Sequence, residues 1–439
     1  MRGLLLPLSS ILSGTGVMVV GIGLLFSVLG LRAGLAEFSS AVTGLIMSAY
    51  FVGYILGTIV SPSLIHRVGH IRTFAAMASI ASTMPVLHAL WVDPWFWGTL
   101  RLITGICVVG LYIVIESWLN TLAPKEQRGR VFSIYMSVTF VALAIGQWLI
   151  LVGDTHSFVP FALVSILLSF ALLPITLTPI SQPIAVERPR LDLRALYRIS
   201  PLGLAGAIVS GMLNGSFYGL GAAYAQGVGF SDVGVAAFMA ATILGGAVFQ
   251  WPVGHYSDSH DRRYVLLGIC IVSAALALLA FLCSFWSENM LITISTLYGG
   301  CVFTLYGLSV AHVNDLVDNS RLLEVAGGLL LVHGMGAAAG PTIAGLVMAW
   351  INPHSLMLLF SLTLAIMATY AVRRIHAAPP VPEEEKSSYV VMTGTAPAVI
   401  QVDIEENTDT EQETPATAET PPEGQASDIP PDNTSPAAS

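Results

Sequence analysis

The sequence predicts an all-α membrane protein with twelve transmembrane helices arranged as two six-helix repeats. The first observation is composition: of 439 residues, 54% are hydrophobic and 10% are charged, with a mean hydropathy of +0.75. A soluble domain carries about 25% charged residues, so this chain lacks the polar residues that would cover a water-facing surface. The second is a series of twelve long apolar stretches, and the third is a repeat that relates the two halves. Together they exclude a soluble globular enzyme, and four cysteines are too few for a disulfide-stabilised scaffold.

Twelve apolar stretches have the length that crossing a membrane requires. A hydrocarbon core about 30 Å thick needs about 20 helical residues. The stretches lie at approximately 8–30, 42–62, 73–92, 95–118, 131–152, 159–179, 200–222, 233–253, 264–285, 291–313, 325–349 and 355–372. Arg2 precedes the first stretch, as in a signal peptide, but the apolar run is too long for one, so we expect an uncleaved helix.

The placement of Lys and Arg predicts how the chain lies across the membrane. Basic residues concentrate in the short cytoplasmic loops of membrane proteins. With the amino terminus inside, 16 of the 18 Lys and Arg residues fall on the cytoplasmic side, while Arg32 lies outside and Arg101 lies within a span. We therefore expect a multi-pass protein of the cytoplasmic (inner) membrane with both termini in the cytoplasm.

The net charge of −9 combines two segments of opposite sign. The tail from Ala377 onward holds 13 acidic residues and one basic residue, so the first 376 residues carry a net charge of +3. The tail is rich in Pro, Glu and Thr, a composition typical of disorder. Its weakly apolar patch Tyr389–Val402 is either a docking peptide or, as is commoner, unselected filler. The predicted division is an N-terminal half, a cytoplasmic linker, a C-terminal half and a disordered acidic cytoplasmic tail, at 1–180, 181–199, 200–375 and 376–439.

An internal repeat relates the two predicted halves. Phe38-Ser39 opens the second span, and Phe230-Ser231 opens the eighth, 192 residues later. The loops that follow these spans align at the same offset, and the pattern Cys-Val-x-x-Leu-Tyr occupies 107–112 in span four and 301–306 in span ten. Parallel repeats of six spans are an architecture of secondary transporters, whose substrate site lies near the midplane between the halves.

The repeated loops resemble motif A of the major facilitator superfamily, Gly-x-x-x-Asp-Arg-x-Gly-Arg-Arg, and the resemblance extends over about residues 1–375. The loop after span eight is the closer copy. The loop after span two is degraded, because Pro62 and His66 stand where the motif has Gly and Asp. The candidate gate residues in the two loops are Gly254, Asp258, Arg262 and Arg263, and Arg67, Gly69 and Arg72.

Two further segments resemble motifs of the same family. Arg101-x-x-x-Gly105 in span four resembles motif B. Gly336-x-x-x-Gly340-Pro341 in span eleven resembles motif C, which efflux members carry in span five, and this displacement weakens the inference of an antiporter. The segments HRVGHIR, ESWLN and SDSHDRR together are most similar to the YcaD-type bacterial branch. The resemblance implies the family's twelve-helix fold and secondary active transport.

The motif A residues have the chemistry of a gate. Asp258 can lie at the positive amino end of a neighbouring helix in one state and release it in another. Arg262 and Arg263 can pair with acidic groups or with phospholipid. The alternative is that the basic residues only set the topology, but an aspartate together with the nearby glycine favours the gate.

Arg101 lies inside the fourth predicted span. A charge there costs about 2.5–3.5 kcal/mol on insertion scales, so it usually faces a cavity or a partner. Helical geometry places Tyr112 on the same face, with Gly105 between them to allow close approach of substrate or of a helix. We favour contact with an anionic substrate or a proton relay. The alternative is a structural arginine that extends toward water.

Glu116 lies on the same span, nearer the cytoplasm. It can pair with Arg67 or Arg72 and hold the cytoplasmic gate shut, which the resemblance to motif A favours, or it can carry a proton during transport. His312 and His333 can also relay protons, although a lone intramembrane histidine is more often a packing residue.

Polar residues on spans seven and ten are candidates for the substrate pathway. The resemblance implies that spans one, four, seven and ten surround the cavity. Asn214 and Tyr218 share a helical face, and Tyr306 is the repeat mate of Tyr112. Such residues suit a neutral or zwitterionic substrate held by hydrogen bonds and aromatic faces, or they join helices by hydrogen bonds.

The sequence contains no motif for ATP hydrolysis, metal binding or covalent catalysis. We therefore predict a secondary active transporter, not an enzyme, with no cofactor or metal, that moves a small solute by alternating access on a substrate or proton gradient. The expected partners are a small-molecule substrate, protons and membrane lipid; no nucleic acid is expected, and the chain is expected to be monomeric. The alternative is a non-transporting membrane scaffold or sensor that recruits a partner through its acidic tail.

Overall fold

In this computed structural model the described residues are 2–124, 127–178, 193–318, 321–376 and Tyr389, and they contain no β-strand. Most of the predicted linker 181–199 and of the predicted tail 376–439 therefore lies outside the described residues. The helices are α1 Arg2–Leu35, α2 Ser40–Val68, α3 His70–Leu90, α4 Pro94–Leu122, α5 Arg128–Trp148, α6 Val159–Phe170, α7 Leu172–Leu177, α8 Leu193–Ile199, α9 Pro201–Gly227, α10 Asp232–Asp258, α11 Arg262–Cys283, α12 Glu288–Val302, α13 Leu305–Asn314, α14 Leu322–Trp350 and α15 Ser355–Ile375.

The helices supply the twelve spans that the sequence predicts. Within the described ranges, 11 are long and apolar enough to cross a membrane. The twelfth is the pair α8 and α9, which bends by 114° between Leu193–Ile199 and Pro201–Gly227. Helix α9 supplies the apolar length, and α8 turns away from its axis. The predicted all-α fold of twelve spans is confirmed.

Two spans that we predicted as continuous helices are each interrupted. Helices α6 and α7 are separated at Ala171, three residues before Pro174, whose ring nitrogen cannot donate a helical hydrogen bond. Helices α12 and α13 are separated at Phe303 and Thr304. There the Thr304 hydroxyl donates to the Cys301 carbonyl at 2.6 Å and competes with the helical pattern.

The repeated Phe-Ser pairs begin equivalent helices. The Ser39 hydroxyl accepts a hydrogen bond from the N–H of Val42 at 3.3 Å at the start of α2. The Ser231 hydroxyl accepts one from the N–H of Gly234 at 3.2 Å at the start of α10. Each serine satisfies a backbone donor that the helix leaves unpaired, so this part of the repeat has a capping role.

One end of the bundle carries the basic loops, and we call it the basic face. It is defined by Arg67, Arg72, Arg262 and Arg263, which flank the turns from α2 to α3 and from α10 to α11. Gly69 forms the first of these turns at φ 87°, in the left-handed region that favours glycine.

The two halves contact each other away from the basic face. Ser48 on α2 and Thr342 on α14 lie with their hydroxyl oxygens 2.7 Å apart, and the Thr342 N–H donates to Ser48 Oγ at 3.1 Å. The Thr155 hydroxyl, in the turn between α5 and α6, donates to Asp232 at the start of α10 at 3.3 Å. These contacts join the halves toward the end of the bundle that lies opposite the basic face, which we call the opposite face.

Close approach of α2 and α4 depends on glycine. A methyl group at Gly105 on α4 would overlap the backbone carbonyl of Tyr50 on α2, and one at Gly53 would overlap the carbonyl of Leu102. Small residues of this kind let membrane helices pack backbone to backbone. Gly105 thus allows another helix to approach closely, which is one of the two roles that the sequence analysis considered for it.

We predict that Gly105→Ala destabilises the protein by about 1–3 kcal/mol, because the added methyl forces α2 and α4 apart. Gly98→Ala is the matched control on the same helix, since a methyl group there meets nothing within 4 Å. Thermal unfolding in detergent, followed by tryptophan fluorescence, measures the difference. Equal melting temperatures for the two variants would contradict the packing described here.

Candidate substrate pathway and gate

Arg101 is buried among aromatic rings. Arg101 is 1% exposed as a whole residue. Its guanidinium carbon lies 4.6 Å from the centroid of the Phe26 ring and 4.3 Å from that of the Tyr50 ring. Within the part of the chain that the structure describes, no carboxylate pairs with it, and Nε and Nη2 have no hydrogen-bond partner. Cation–π contacts therefore compensate part of this charge while two donors stay available.

An aromatic cluster extends from Arg101 across the junction of the two halves. Phe26 lies 5.0 Å from Tyr50 and 6.1 Å from Tyr218, which lies 5.6 Å from Phe303, all between ring centroids. Tyr218 was a predicted pathway residue, but Phe26, Tyr50 and Phe303 were not. A comparison of how deep in the membrane the residues of spans one, two and four lie would have pointed to Phe26 and Tyr50.

A cleft opens between α2 and α14 beside this cluster. About 300 Å³ between the helices is not filled by atoms, but this figure includes open solvent and the cleft is narrow in this conformation. Its lining residues are Tyr50, Phe51, Tyr54, Leu330, His333, Gly334 and Ala337. Tyr50 contacts Arg101 and also lines the cleft, so it connects the buried charge to a space between the halves.

The other predicted pathway residues are buried at different places. Asn214 Nδ2 donates to the Ser210 hydroxyl at 3.3 Å along α9, a bond within one helix. The ring of Tyr306 lies 4.5 Å from that of His333, which places this tyrosine next to the cleft. Tyr112 is 1% exposed on α4, and its hydroxyl has no hydrogen-bond partner among the described residues.

Glu116 lies in the interior of the first half. It is 4% exposed, and the Tyr135 hydroxyl on α5 donates to its Oε1 at 3.1 Å. Arg67 and Arg72, the partners that the sequence suggested for it, have exposed side chains. No pattern in the sequence pointed to Tyr135, because Tyr135 and Glu116 lie on different helices.

The second motif A loop forms a buried ion-pair network at the basic face. Arg262 is 2% exposed, and its Nε donates to Asp315 at 2.7 Å. Its Nη2 donates to Asp258 at 3.1 Å and its Nη1 to the Ser257 hydroxyl at 2.9 Å. The network therefore ties the end of α10 and the start of α11 to the end of α13.

Asp315 is a functional candidate that the sequence analysis missed. Its side chain is 3% exposed although it follows the last residue of α13. The signal was its position directly after Asn314, which matches Asn120 in the repeat. The predicted histidine His312 lies three residues earlier on α13 and is 6% exposed.

Arg263 pairs with Asp261, two residues before it in the chain. Its Nη2 lies 2.7 Å from Asp261 Oδ2, and the same carboxylate caps the start of α11. Burial raises the pKa of Asp261, but hydrogen bonds from Arg263 and its positive charge outweigh burial, so the pKa lies below its ordinary value. This pair holds the turn between α10 and α11 in place.

The two motif A loops differ in burial. In the first loop His66 and Arg67 are exposed, and Gly69 supplies the tight turn. In the second loop Arg262 and Arg263 are buried with carboxylate partners. The buried network is present in the loop that keeps the motif's aspartate.

No group of three or more His, Cys, Asp or Glu side chains suited to a metal ion occurs in the described ranges. The four cysteines, Cys107, Cys270, Cys283 and Cys301, are buried as free thiols.

Twelve apolar spans in two related halves, with a cleft between them and an ion-pair network at one face, define a multi-pass membrane transporter. The chain belongs to the Major Facilitator Superfamily, whose family model matches residues 8–245 and 204–407. Two curated relatives are described as uncharacterised MFS-type transporters. One, from Enterobacter sp. (strain 638), is 29% identical over 376 residues, which cover 85% of this chain and 96% of the relative. The other, YcaD from Shigella flexneri, is 26% identical over 357 residues, covering 81% and 92%.

Solved transporters share the fold. A bacterial homologue of the human lysosomal transporter Spinster, in an inward-facing and occupied conformation, superposes with a TM-score of 0.71 at 16% identity, covering 87% of this chain and 98% of that one. The nucleoside transporter NupG superposes with a TM-score of 0.70 at 14% identity, covering 84% and 98%. Family membership implies that this protein, too, transports a small molecule across a membrane.

We predict that Arg262→Ala lowers the free energy of unfolding by about 3–5 kcal/mol, because it deprives the buried Asp315 carboxylate of its ion pair. Arg321→Ala is the control, since the pair of Arg321 with Glu324 spans 3.3 Å between partly exposed side chains and such pairs contribute about 0–1 kcal/mol. Thermal unfolding in detergent compares the two. A loss no larger for Arg262→Ala than for Arg321→Ala would show that the network does not stabilise the fold.

Proposed function

We propose that the protein is a secondary active transporter that moves a small anionic solute across the cytoplasmic membrane by alternating access. The observation that carries the proposal is Arg101, a buried guanidinium with free donors beside the cleft between the halves. An unpaired intramembrane charge is costly to maintain, so a partner that arrives during transport gives it a role.

The surroundings of Arg101 indicate the chemical class of the solute. A carboxylate or phosphate would bind the two free guanidinium donors with charge-assisted hydrogen bonds. The rings of Phe26, Tyr50 and Tyr218 would pack against an apolar or aromatic part of the same molecule. Because Tyr50 lines the cleft, rotation of its ring would connect the cleft with the guanidinium.

Alternating access in this proposal uses the two faces of the bundle in turn. The contacts of Ser48 with Thr342 and of Thr155 with Asp232 hold the opposite face together in the arrangement described here. Closing the basic face would require motif A residues to engage the other half. We propose that this face is cytoplasmic, as are both termini. A reporter enzyme fused to the carboxyl terminus tests the orientation, and activity on the periplasmic side would overturn it.

We predict that Arg101→Gln lowers flux of the solute at least tenfold, because the loss of a charged hydrogen bond costs about 1.5–3 kcal/mol. Arg101→Lys keeps the charge without the forked donors and is expected to retain part of the flux. Arg32→Gln is the control, since Arg32 donates to the His156 carbonyl at an exposed site.

Metabolite profiling of cells that lack or overproduce the protein identifies the solute, and flux into proteoliposomes then measures each variant. Flux of Arg101→Gln equal to that of the wild type would contradict the assignment of Arg101. A transported solute without an anionic group would contradict the proposed chemical class.

Coupling to protons is the second part of the proposal. Glu116 and His333 are buried titratable groups, one beside Tyr135 and the other beside Tyr306 at the cleft. A group of this kind can take up a proton in one conformation and release it in the other.

We predict that Glu116→Gln abolishes flux driven by a pH gradient while exchange of labelled solute across the membrane continues, because exchange needs no net proton movement. The same comparison with His333→Gln shows which of the two groups carries the proton. Glu324→Gln is the control, since this carboxylate pairs with Arg321 at the surface. Gradient-driven flux that survives in both buried variants would exclude coupling through these groups.

A further inference from the structure

Tyr389 of the acidic tail lies on the second half of the protein at the basic face. Its backbone N–H donates to Asp258 Oδ1 at 2.9 Å. Its ring lies against Gly254 on α10 and Gly307 on α13. A residue that is distant in sequence therefore contacts the motif A loop directly.

Two glycines form the seat for the ring. A methyl group at Gly254 would overlap the ring carbons of Tyr389, and one at Gly307 would lie 2.5 Å from its hydroxyl oxygen. Both glycines lie within helices, where glycine costs about 1 kcal/mol relative to alanine. The absence of side chains at these two positions leaves the space that the ring occupies.

The ring is enclosed where it sits. The Tyr389 hydroxyl is shielded from solvent and has no hydrogen-bond partner among the described residues. Burial raises the pKa of this hydroxyl above its ordinary value. Apolar contact with the helices and one backbone hydrogen bond to a carboxylate are the interactions that hold it.

The carboxylate that binds Tyr389 belongs to the ion-pair network. Asp258 Oδ1 accepts the Tyr389 N–H at 2.9 Å and also accepts Arg262 Nη2 at 3.1 Å. Asp258 is the motif A residue expected to receive the amino end of a neighbouring helix. A backbone N–H is the donor that a helix amino end presents, so Tyr389 occupies the acceptor with the same chemical group.

The helix that would compete for this acceptor is α5. It begins at Arg128 on the basic face, and it packs against α10, which ends at Asp258. It belongs to the other half of the protein. Contact between its amino end and Asp258 would therefore join the halves at the basic face.

The tail has the length and charge to reach the seat. Tyr389 lies fourteen positions after Ile375, where α15 ends, and an extended chain of fourteen steps spans about 45 Å. The tail is acidic, whereas Arg67, Arg72 and Arg373 at the basic face are exposed. Charge attraction and the short tether both raise the concentration of Tyr389 near its seat.

We propose that Tyr389 is an intramolecular plug, which docks in the seat formed by Gly254, Gly307 and Asp258 and competes with the amino end of α5 for Asp258. While docked it keeps the halves apart at the basic face. Release of the tail frees Asp258 and lets this face close. The tail thus regulates the transporter from within the same chain.

Hydrogen–deuterium exchange of the full-length protein in detergent tests the docking. We expect the Tyr389 amide to exchange at least tenfold more slowly than amides of residues 403–439, because it is bonded to a carboxylate in an enclosed site. Tyr389→Ala is expected to remove this protection, and it alters a tail residue, so the folded body remains intact.

Substitutions at the glycines that form the seat are a second test of the docking. Gly307→Ala is expected to expel the ring and to remove protection at Tyr389. Gly268→Ala is the matched control, since a methyl group at this α11 position meets nothing within 4 Å. Two results would overturn the docking. One is a Tyr389 amide that exchanges, in the wild type, as fast as the amides of residues 403–439. The other is full protection of this amide in a folded Gly307→Ala variant.

Spin-label distances test the effect on the halves. Labels at Ser133→Cys on α5 and Tyr264→Cys on α11 report the width of the basic face, since both positions are exposed and the native cysteines are buried. Adding Tyr389→Ala is expected to shift the distance distribution to shorter values. An unchanged distribution would overturn the competition with α5. Neither measurement needs a solute, so each can fail or succeed independently of the transport proposal.

Discussion

A charged side chain inside a membrane protein has to be compensated by groups that it contacts directly, and this constraint governs the structure. Arg262 and Arg101 are both almost fully buried, at 2% and 1% exposure. Arg262 is surrounded by acceptors from two other helix ends, so it contributes to holding three elements together. Arg101 has aromatic faces in place of a carboxylate, and its Nε and Nη2 have no hydrogen-bond partner among the described residues. The same constraint thus produces a structural arginine at the basic face and, near the junction of the halves, the arginine that we propose binds the solute.

Helix packing brings these groups to their positions. Gly105 lets α4 approach α2, and this approach sets Arg101 on α4 over the Tyr50 ring on α2. Gly254 and Gly307 open a space of the same kind on α10 and α13, where the ring of Tyr389 lies. Glycine therefore serves two purposes in this fold: in one place it permits contact between backbones, and in the other it leaves room for a side chain from a distant segment.

Much of the fold and part of the site were predictable from the sequence. The apolar stretches, the repeated Phe-Ser pairs and the buried position of Arg101 follow from local patterns, and the structure gives the serines a capping role. The breaks at Ala171 and Phe303 were not predicted, because hydropathy does not register a proline or a hydroxyl that disturbs one helical turn. Phe26, Tyr50, Tyr135 and Asp315 were missed, since each gains its importance from a residue on another helix.

The sequence by itself determined that the chain crosses the membrane as twelve helices in two repeats. Length and hydropathy are properties of contiguous residues, and a bilayer accepts few other backbone structures. The tertiary structure alone decided which groups meet. Arg262 and Asp315 are 53 residues apart in the chain, and Asp258 and Tyr389 are 131 apart. Such pairs form only after helices have packed, because the distance between them depends on helix rotation and crossing, which no local pattern of residues specifies.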